Sequence, residues 1–400
     1  MKRRVVIVGG GVAGLETLLA VRDLAGEAAE LTLVSSEPEF LYRPLIVEEP
    51  FDLGPAHRHA LEPLAAELGA RFLQRVATEV RPGDHIVQLD DGSELGYDLL
   101  VVCLGGRFRP ALEGVMTFPS DGEPLRIDEL LRAGDGARRI AFVVPSGVTW
   151  ALPLYEVALM TQRRALDLRL ADVELTLVTP EDAPLTIFGP VASAAVARLL
   201  AARGIAVETG AHAREVKGGE LVLSPGERRI AAEAVIALPA MAGPSINGLP
   251  ADEDGFIPID AHARVIGAED VYAAGDGTNF PIKQGGLGTQ QADAAAAHIA
   301  QRLGAADGAE PFHPVLRGKL ITGDESLYLR ADVGGGSGSE EPSLDSLWWP
   351  PDKISGRYLA PFLRRGDAHA EPEPPSPSLD VEVALPTEWY LTPTSLDPYR

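Results

Sequence analysis

Val5-Val6-Ile7-Val8-Gly9-Gly10-Gly11-Val12-Ala13-Gly14, with the apolar-periodic stretch Leu15 to Leu24 behind it, spells a strand, a tight glycine turn and a helix in succession. Gly9 permits the sharp turn, Gly11 lets the backbone approach a pyrophosphate, and Gly14 lets the helix pack closely on the strand. Val12 and Ala13 complete the turn at the helix start, where free N–H groups and the macrodipole favour negative charge. The pattern predicts a dinucleotide site. A glycine-rich turn without a ligand is the bland alternative.

A second signature lies far downstream. Glu269-Asp270-Val271-Tyr272-Ala273-Ala274-Gly275-Asp276-Gly277 reads as a short apolar strand ending in Gly-Asp, and Gly285 to Ile299 begins a helix. These two motifs, in this order, resemble the flavoproteins with two dinucleotide-binding domains. The resemblance implies that Gly275 and Asp276 hold FAD, with the Asp276 carboxylate accepting hydrogen bonds from the ribityl hydroxyls. The alternative is that Asp276 caps a turn.

Three further positions follow from the same likeness. Glu37 stands two residues beyond Ser35, the place expected for the acid that binds the adenosine ribose. Arg43, in Tyr42-Arg43-Pro44-Leu45, resembles the segment near the flavin. Gly105 closes the apolar run Leu99–Leu104, which resembles the strand that returns to the FAD sheet. Cys103 lies inside that run and reads as a small core residue.

Length and composition set bounds. A chain of 400 residues suggests two to three domains, and 46% hydrophobic with 23% charged residues is ordinary for a globular protein. No apolar run reaches the roughly 18–20 residues of a membrane-spanning helix, and Met1-Lys2-Arg3-Arg4 enters the glycine turn without an apolar signal region. A cytoplasmic location is expected. The formal net charge of −23 disfavours nucleic acid and anionic membranes as partners. A single cysteine excludes an intramolecular disulfide or a Cys-x-x-Cys pair. His57-x-His59 is the only histidine spacing of note, so no metal site is expected.

The expected fold class is α/β, with two Rossmann-like, doubly wound domains, the second inserted in the first, plus a C-terminal segment. The boundaries are read as 1–110 and 240–305 for the FAD-binding domain and 111–239 for the second dinucleotide-binding-like domain. Residues 306–370 form an interface region and 371–400 a Pro- and acid-rich tail. Within the insert, strands are expected at Ile140–Val144, Val173–Val178, Ile205–Glu208 and Ala234–Leu238, helices at Leu152–Leu168 and Val191–Arg203, and a hairpin over Glu215–Leu223. Phe312–Arg330 resembles an interface strand region. Gly334–Glu341 reads as a flexible spacer.

Trp348-Trp349-Pro350-Pro351-Asp352-Lys353-Ile354-Ser355-Gly356-Arg357-Tyr358 resembles the C-terminal segment of relatives of sulfide:quinone oxidoreductase and type II NADH dehydrogenase. The second dinucleotide turn departs from its pattern: Pro145 replaces the first glycine and supplies no N–H, Trp150 replaces the third, and only Gly147 survives. NAD(P)H bound there in the usual way is doubtful. Pro153-Leu154-Tyr155-Glu156 matches the sulfide-oxidising enzymes, yet their redox cysteine position is Trp150 here. Sulfide oxidation through a disulfide is therefore ruled out.

The quinone-reducing relatives carry Ala-Gln-x-Ala-x-Gln-Gln after Gly-Asp. Here Gly285-Gly286-Leu287-Gly288-Thr289-Gln290-Gln291 keeps only the terminal glutamines. Gly286 at the helix start and the charge of Lys283 could act on the flavin pyrimidine, and Glu156 could relay a proton. The expectation is an FAD-dependent oxidoreductase that passes two electrons from a reduced small-molecule donor, NAD(P)H at an atypical site first and a small reductant meeting the flavin directly second, to a quinone-like or protein acceptor. The alternative is a flavin-binding redox sensor or docking module without turnover. Peripheral membrane contact and a homodimer are left open.

Overall fold

The computed structural model describes residues 2–120, 124–132, 138–324, 326–332, 346–348 and 350–365, with the side chains of 138 and 332 excluded. The spacer at 334–341, Trp349 and the tail at 371–400 lie outside the described residues.

The opening strand Arg3–Val8 is the centre of a five-stranded parallel sheet in the order Val271–Ala273, Leu99–Val102, Arg3–Val8, Ala29–Ser35, Arg71–Gln74. Val5 to Val8 are all buried, as a central parallel strand covered on both faces requires. The first helix, Val12–Ala25, returns across this sheet and packs along the helix Gly285–Arg302. Buried alanines at 292 and 294–296 on the second helix leave room for that approach.

A second five-stranded parallel sheet runs Met116–Thr117, Ala234–Ala237, Arg138–Val143, Val173–Val178, Ile205–Glu208. The helices Leu152–Asp167 and Gly189–Ala202 supply its crossovers. The chain is thus a doubly wound α/β protein. Two short strands, Arg107–Arg109 and Ala240–Ala242, pair antiparallel where the chain leaves the first sheet and returns to it. The expected hairpin at Glu215–Leu223 gains a third strand: His212–Lys217, Glu220–Ser224 and Arg228–Ala231 form one antiparallel sheet. That addition lets Leu221 and Leu223 bury one face against Ala141 and Val235.

Beyond the Gly285–Arg302 helix, Val315–Leu320 and Leu327–Asp332 form an antiparallel pair in the region anticipated for interface strands. Residues 350–358 form a strap of bends and turns, through Lys353 and Ile354, that leads into the short helix Leu359–Leu363.

Candidate functional site

The C-terminal ends of the first sheet open into one cavity of about 1080 Å³. Gly9 adopts φ +116°, and a Cβ there would stand 2.1 Å from the Cys103 carbonyl oxygen. At Gly14 a Cβ would meet the Gly9 oxygen at 1.8 Å, so the helix can sit this close only without a side chain. Gly11 differs, because a Cβ would meet nothing within 4 Å. Gly11 is also the N-cap of the first helix, with no side chain capping it and no acid in its first turn. Its N–H groups therefore face the cavity with their positive end unsatisfied.

The Gly-Asp motif sits directly against this turn. Gly275, at φ +90°, is so close that its Cβ would lie 3.0 Å from the Ala13 methyl. A Cβ on Gly288 of the following helix would likewise lie 3.0 Å from the Gly275 Cα. Gln291 fixes the turn by accepting the Gly275 N–H at 2.7 Å, while its amide donates to Thr278 Oγ1 at 3.3 Å. Asp276 lines the cavity, and no hydrogen bond from a described residue reaches its carboxylate. Burial pushes that carboxyl up, with Lys283 and Arg43 pulling against it. An acceptor held this way, opposite an uncapped helix start, suits a ligand with sugar hydroxyls at one end and phosphates beside them.

Of the other expected site residues, Glu37, Arg43, Gly105, Lys283 and Glu156 all line the cavity, as do Val12 and Ala13. Glu37 is exposed at the rim. Arg43 lies 5.7 Å from the centre of the Phe108 ring, and Gly105 takes φ +70°. Gly14 and Gly286 do not reach the wall: Gly14 is a packing glycine, and Gly286 is buried with its α-carbon facing the Gln284 side chain. Lys283 donates to the Thr278 carbonyl and lies 3.6 Å from the Phe256 ring centre. Burial pushes its ammonium down to about 8, against the opposing pull of Asp276, Asp252 and Asp254.

Glu156 is fully buried, and its two oxygens accept from Lys353 Nζ at 2.8 and 2.6 Å and from the Ile321 N–H at 2.8 Å. Burial raises its carboxyl above the usual range, with Lys353 opposing. Lys353 and its neighbour Ile354 also line the cavity. Sequence reasoning gave Lys353 no role. Its partner is 197 positions away, and only the unusual demand of a buried glutamate for a cation could have hinted at it.

The second glycine turn is built differently. Gly147 keeps φ +80°, but Ser146 Oγ is tied to His212 Nδ1 at 2.8 Å and Thr149 Oγ1 donates to the Pro281 carbonyl at 2.6 Å. The Trp150 ring packs edge-on against Phe188 at 5.9 Å, and Phe188 in turn presses on Gly318 of the C-terminal strand pair. Glu181, the acid after strand Val173–Val178, accepts from the Thr186 N–H and hydroxyl at 2.9 Å each and from Thr179 Oγ1 at 3.2 Å. Pro145 thus offers no N–H to a phosphate at this turn, and Glu181 is engaged by its own loop. The glutamines kept from the relatives' motif are spent internally as well. Gln290 clasps the Val315 backbone through 2.9 and 2.8 Å bonds, and Gln291 holds Gly275.

Among the described residues no group of three or more His, Cys, Asp or Glu could hold a metal ion. No helix among them is long and apolar enough to cross a membrane.

Two parallel sheets of this order, with one intact nucleotide turn and a facing Gly-Asp, define a protein of the two-dinucleotide-fold class. The pyridine nucleotide-disulphide oxidoreductase family matches residues 3–302, and the chain belongs to it; it is a flavin-dependent oxidoreductase. Relatives include the ferredoxin reductase component of chlorobenzene dioxygenase from a Cupriavidus species, 28% identical over 84% of this chain and 85% of its own. An NADH dehydrogenase-like protein of Mycobacterium tuberculosis is 29% identical over 68% of this chain and 72% of its own. Among solved structures, sulfide:quinone oxidoreductase of Aquifex aeolicus superposes with TM-score 0.75 over 82% of this chain and 84% of that one, at 19% identity.

Proposed function

We propose that the cavity binds FAD and that the protein passes two electrons through it from a reduced donor to a quinone-like or protein acceptor. One observation carries this reading. The uncapped helix start at Gly11 and the unpartnered carboxylate of Asp276 face one cavity from motifs in van der Waals contact. The first suits a pyrophosphate and the second a ribityl chain. When bound, FAD supplies the chemistry of accepting a hydride equivalent and releasing electrons singly or in pairs.

The chain's own residues then bind and tune. Gly9, Gly11, Val12 and Ala13 receive the pyrophosphate, Glu37 the adenosine ribose and Gly275-Asp276 the ribityl chain, with Arg43 and Gly105 shaping the far wall. Lys283 brings positive charge to that wall and favours the more anionic state of whatever lies beside it. Glu156, its carboxyl raised by burial and its orientation fixed by Lys353, holds or yields a proton at the cavity edge. Gly286 acts through the first turn of its helix rather than by contact.

For the donor, the altered second turn, with Pro145 and Trp150 in glycine positions and Glu181 engaged by its own loop, argues against a nicotinamide dinucleotide held in the usual way and for a reductant that meets the flavin directly. The ferredoxin reductase relative supports a protein acceptor, and a demethylphylloquinone reductase from Synechocystis, 27% identical over 68% of this chain, supports a quinone. In this reading residues 1–110 and 240–305 form the FAD-binding domain, and 111–239 a second dinucleotide-binding-like domain inserted in it.

The test is an anaerobic titration of the purified protein, followed near 450 nm. Bound flavin should bleach with a direct chemical reductant and not with NADH or NADPH at matched concentrations. Protein isolated without flavin, and unable to take up FAD, would overturn the reading. Rapid bleaching by NADH would overturn its donor half alone.

A further inference from the structure

The strap that brings Lys353 to the cavity is itself anchored at a second buried acid site, remote from the first. Glu16, in the middle of the first helix, is fully buried and accepts the Tyr358 and Leu359 N–H groups at 2.8 Å each. The strap lies so close that a Cβ on Gly356 would meet Glu16 Oε2 at 2.5 Å. From the facing helix Gly285–Arg302, the Asp293 carboxyl reaches that of Glu16 within hydrogen-bonding range, and Asp293 Oδ1 is buried without a hydrogen-bond partner. Two carboxylates in contact in an apolar interior do not both ionise. A proton on Asp293 turns the contact into an O–H···O bond, and the charge rests on Glu16, where two N–H donors meet it.

We propose that Glu16 and Asp293 are positioning residues: sharing one proton, they clamp the strap to the first helix and thereby keep Lys353 on Glu156 at the cavity wall. The connection between the two ends is short. Ile354 donates its N–H to Tyr42 Oη at 3.1 Å and packs its side chain on Gly285, and Lys353 precedes it. The other charged groups facing the pair are Arg357 on the strap, whose guanidinium lies 5.3 Å from the Tyr358 ring centre, and Asp23 on the first helix, which bears on Tyr358.

Burial and the Glu16 charge push the Asp293 carboxyl up to about 8. An acid whose pKa is raised on folding stabilises the folded state while protonated. The proton's contribution to the clamp is therefore whole below the ordinary carboxylate range, weakens steadily as pH rises, and is gone above about 8.

The test is amide hydrogen exchange of peptides covering 353–360 in the full-length protein, corrected for intrinsic rates. Wild type should show exchange rising in excess by up to about tenfold per pH unit below 8 and levelling off above it, and Asp293→Asn should stay flat. Lys283 also titrates near 8, and the Asp293→Asn variant leaves it untouched, so the contrast separates the two. Should Asp293→Asn fail to fold, Glu16→Gln removes the charge that opposes ionisation of Asp293 while burial still acts on it, and should show a smaller rise than wild type. A wild type without the excess rise, or variants that rise as wild type does, overturns the proposal. Exchange is read without donor or acceptor, so its outcome is independent of the proposed electron route.

Discussion

The turns Gly9–Gly14 and Pro145–Trp150 follow the central strands of two parallel sheets, yet the first is built of glycines and the second carries side chains in their place. In the first, Gly9 and Gly14 let strand and helix approach closely, Gly11 leaves open space beside the backbone, and the helix start is left uncapped. In the second, a proline, a serine bound to His212 and a tryptophan on Phe188 occupy the corresponding space. Topology thus places a crevice at the strand ends, and only the side chains around the turn decide whether a ligand can enter it.

The largest break in this contrast is expected at Gly14. Gly14→Val drives carbon into the Gly9 carbonyl and should cost about 3 kcal/mol or more, with loss of the flavin absorbance of the purified protein. Gly147→Ala, whose Cβ would meet nothing within 4 Å, strains only a φ of +80°. It should cost about 1 kcal/mol in thermal unfolding and leave the absorbance alone.

Asp276→Ala comes next. Losing charge-assisted bonds worth about 2 kcal/mol should weaken FAD binding by roughly tenfold to a hundredfold, measured by titrating apoprotein with FAD. Unchanged affinity would mean that the carboxylate only shapes the turn. At the second turn, Trp150→Ala removes the ring from Phe188 and should cost about 2 kcal/mol of stability. It should neither loosen flavin nor confer bleaching by NADH, because Glu181 remains saturated and Pro145 still lacks its N–H. The smallest effect is expected at Cys103. Burial pushes its thiol up to about 12, so it should resist alkylation at pH 8, and Cys103→Ala should cost about 1 kcal/mol with turnover intact.

Much of this architecture was legible in the sequence because it is written locally. Strands Val173–Val178 and Ile205–Glu208 coincide with their expected spans, and the Leu152–Asp167 helix ends one residue before its expected limit. Glycine turns announce themselves by residue type. What the sequence hid depends on distance along the chain. Glu16 falls in a stretch read simply as apolar-periodic, and its partners are Asp293 and the backbone of Tyr358 and Leu359, all more than 270 positions away. The third strand Arg228–Ala231 follows a tight turn and has only one half-buried apolar residue, Ile230, too faint a pattern to read. Gln291 looked like a remnant of a substrate motif. Its use as an anchor for Gly275 depends on a helix whose pitch brings residue 291 beneath the strand end.

The two-stranded ladder at the junction of the sheets carries an engineering consequence. Arg109 and Ala240 stand directly opposite each other as antiparallel partners, so 130 intervening residues leave and return through a doorway one base of a hairpin wide. A two-residue turn could close that doorway. Excision of the middle portion, followed by such a splice, would give a miniature with the first sheet uninterrupted and the cavity open to solvent on its upper side.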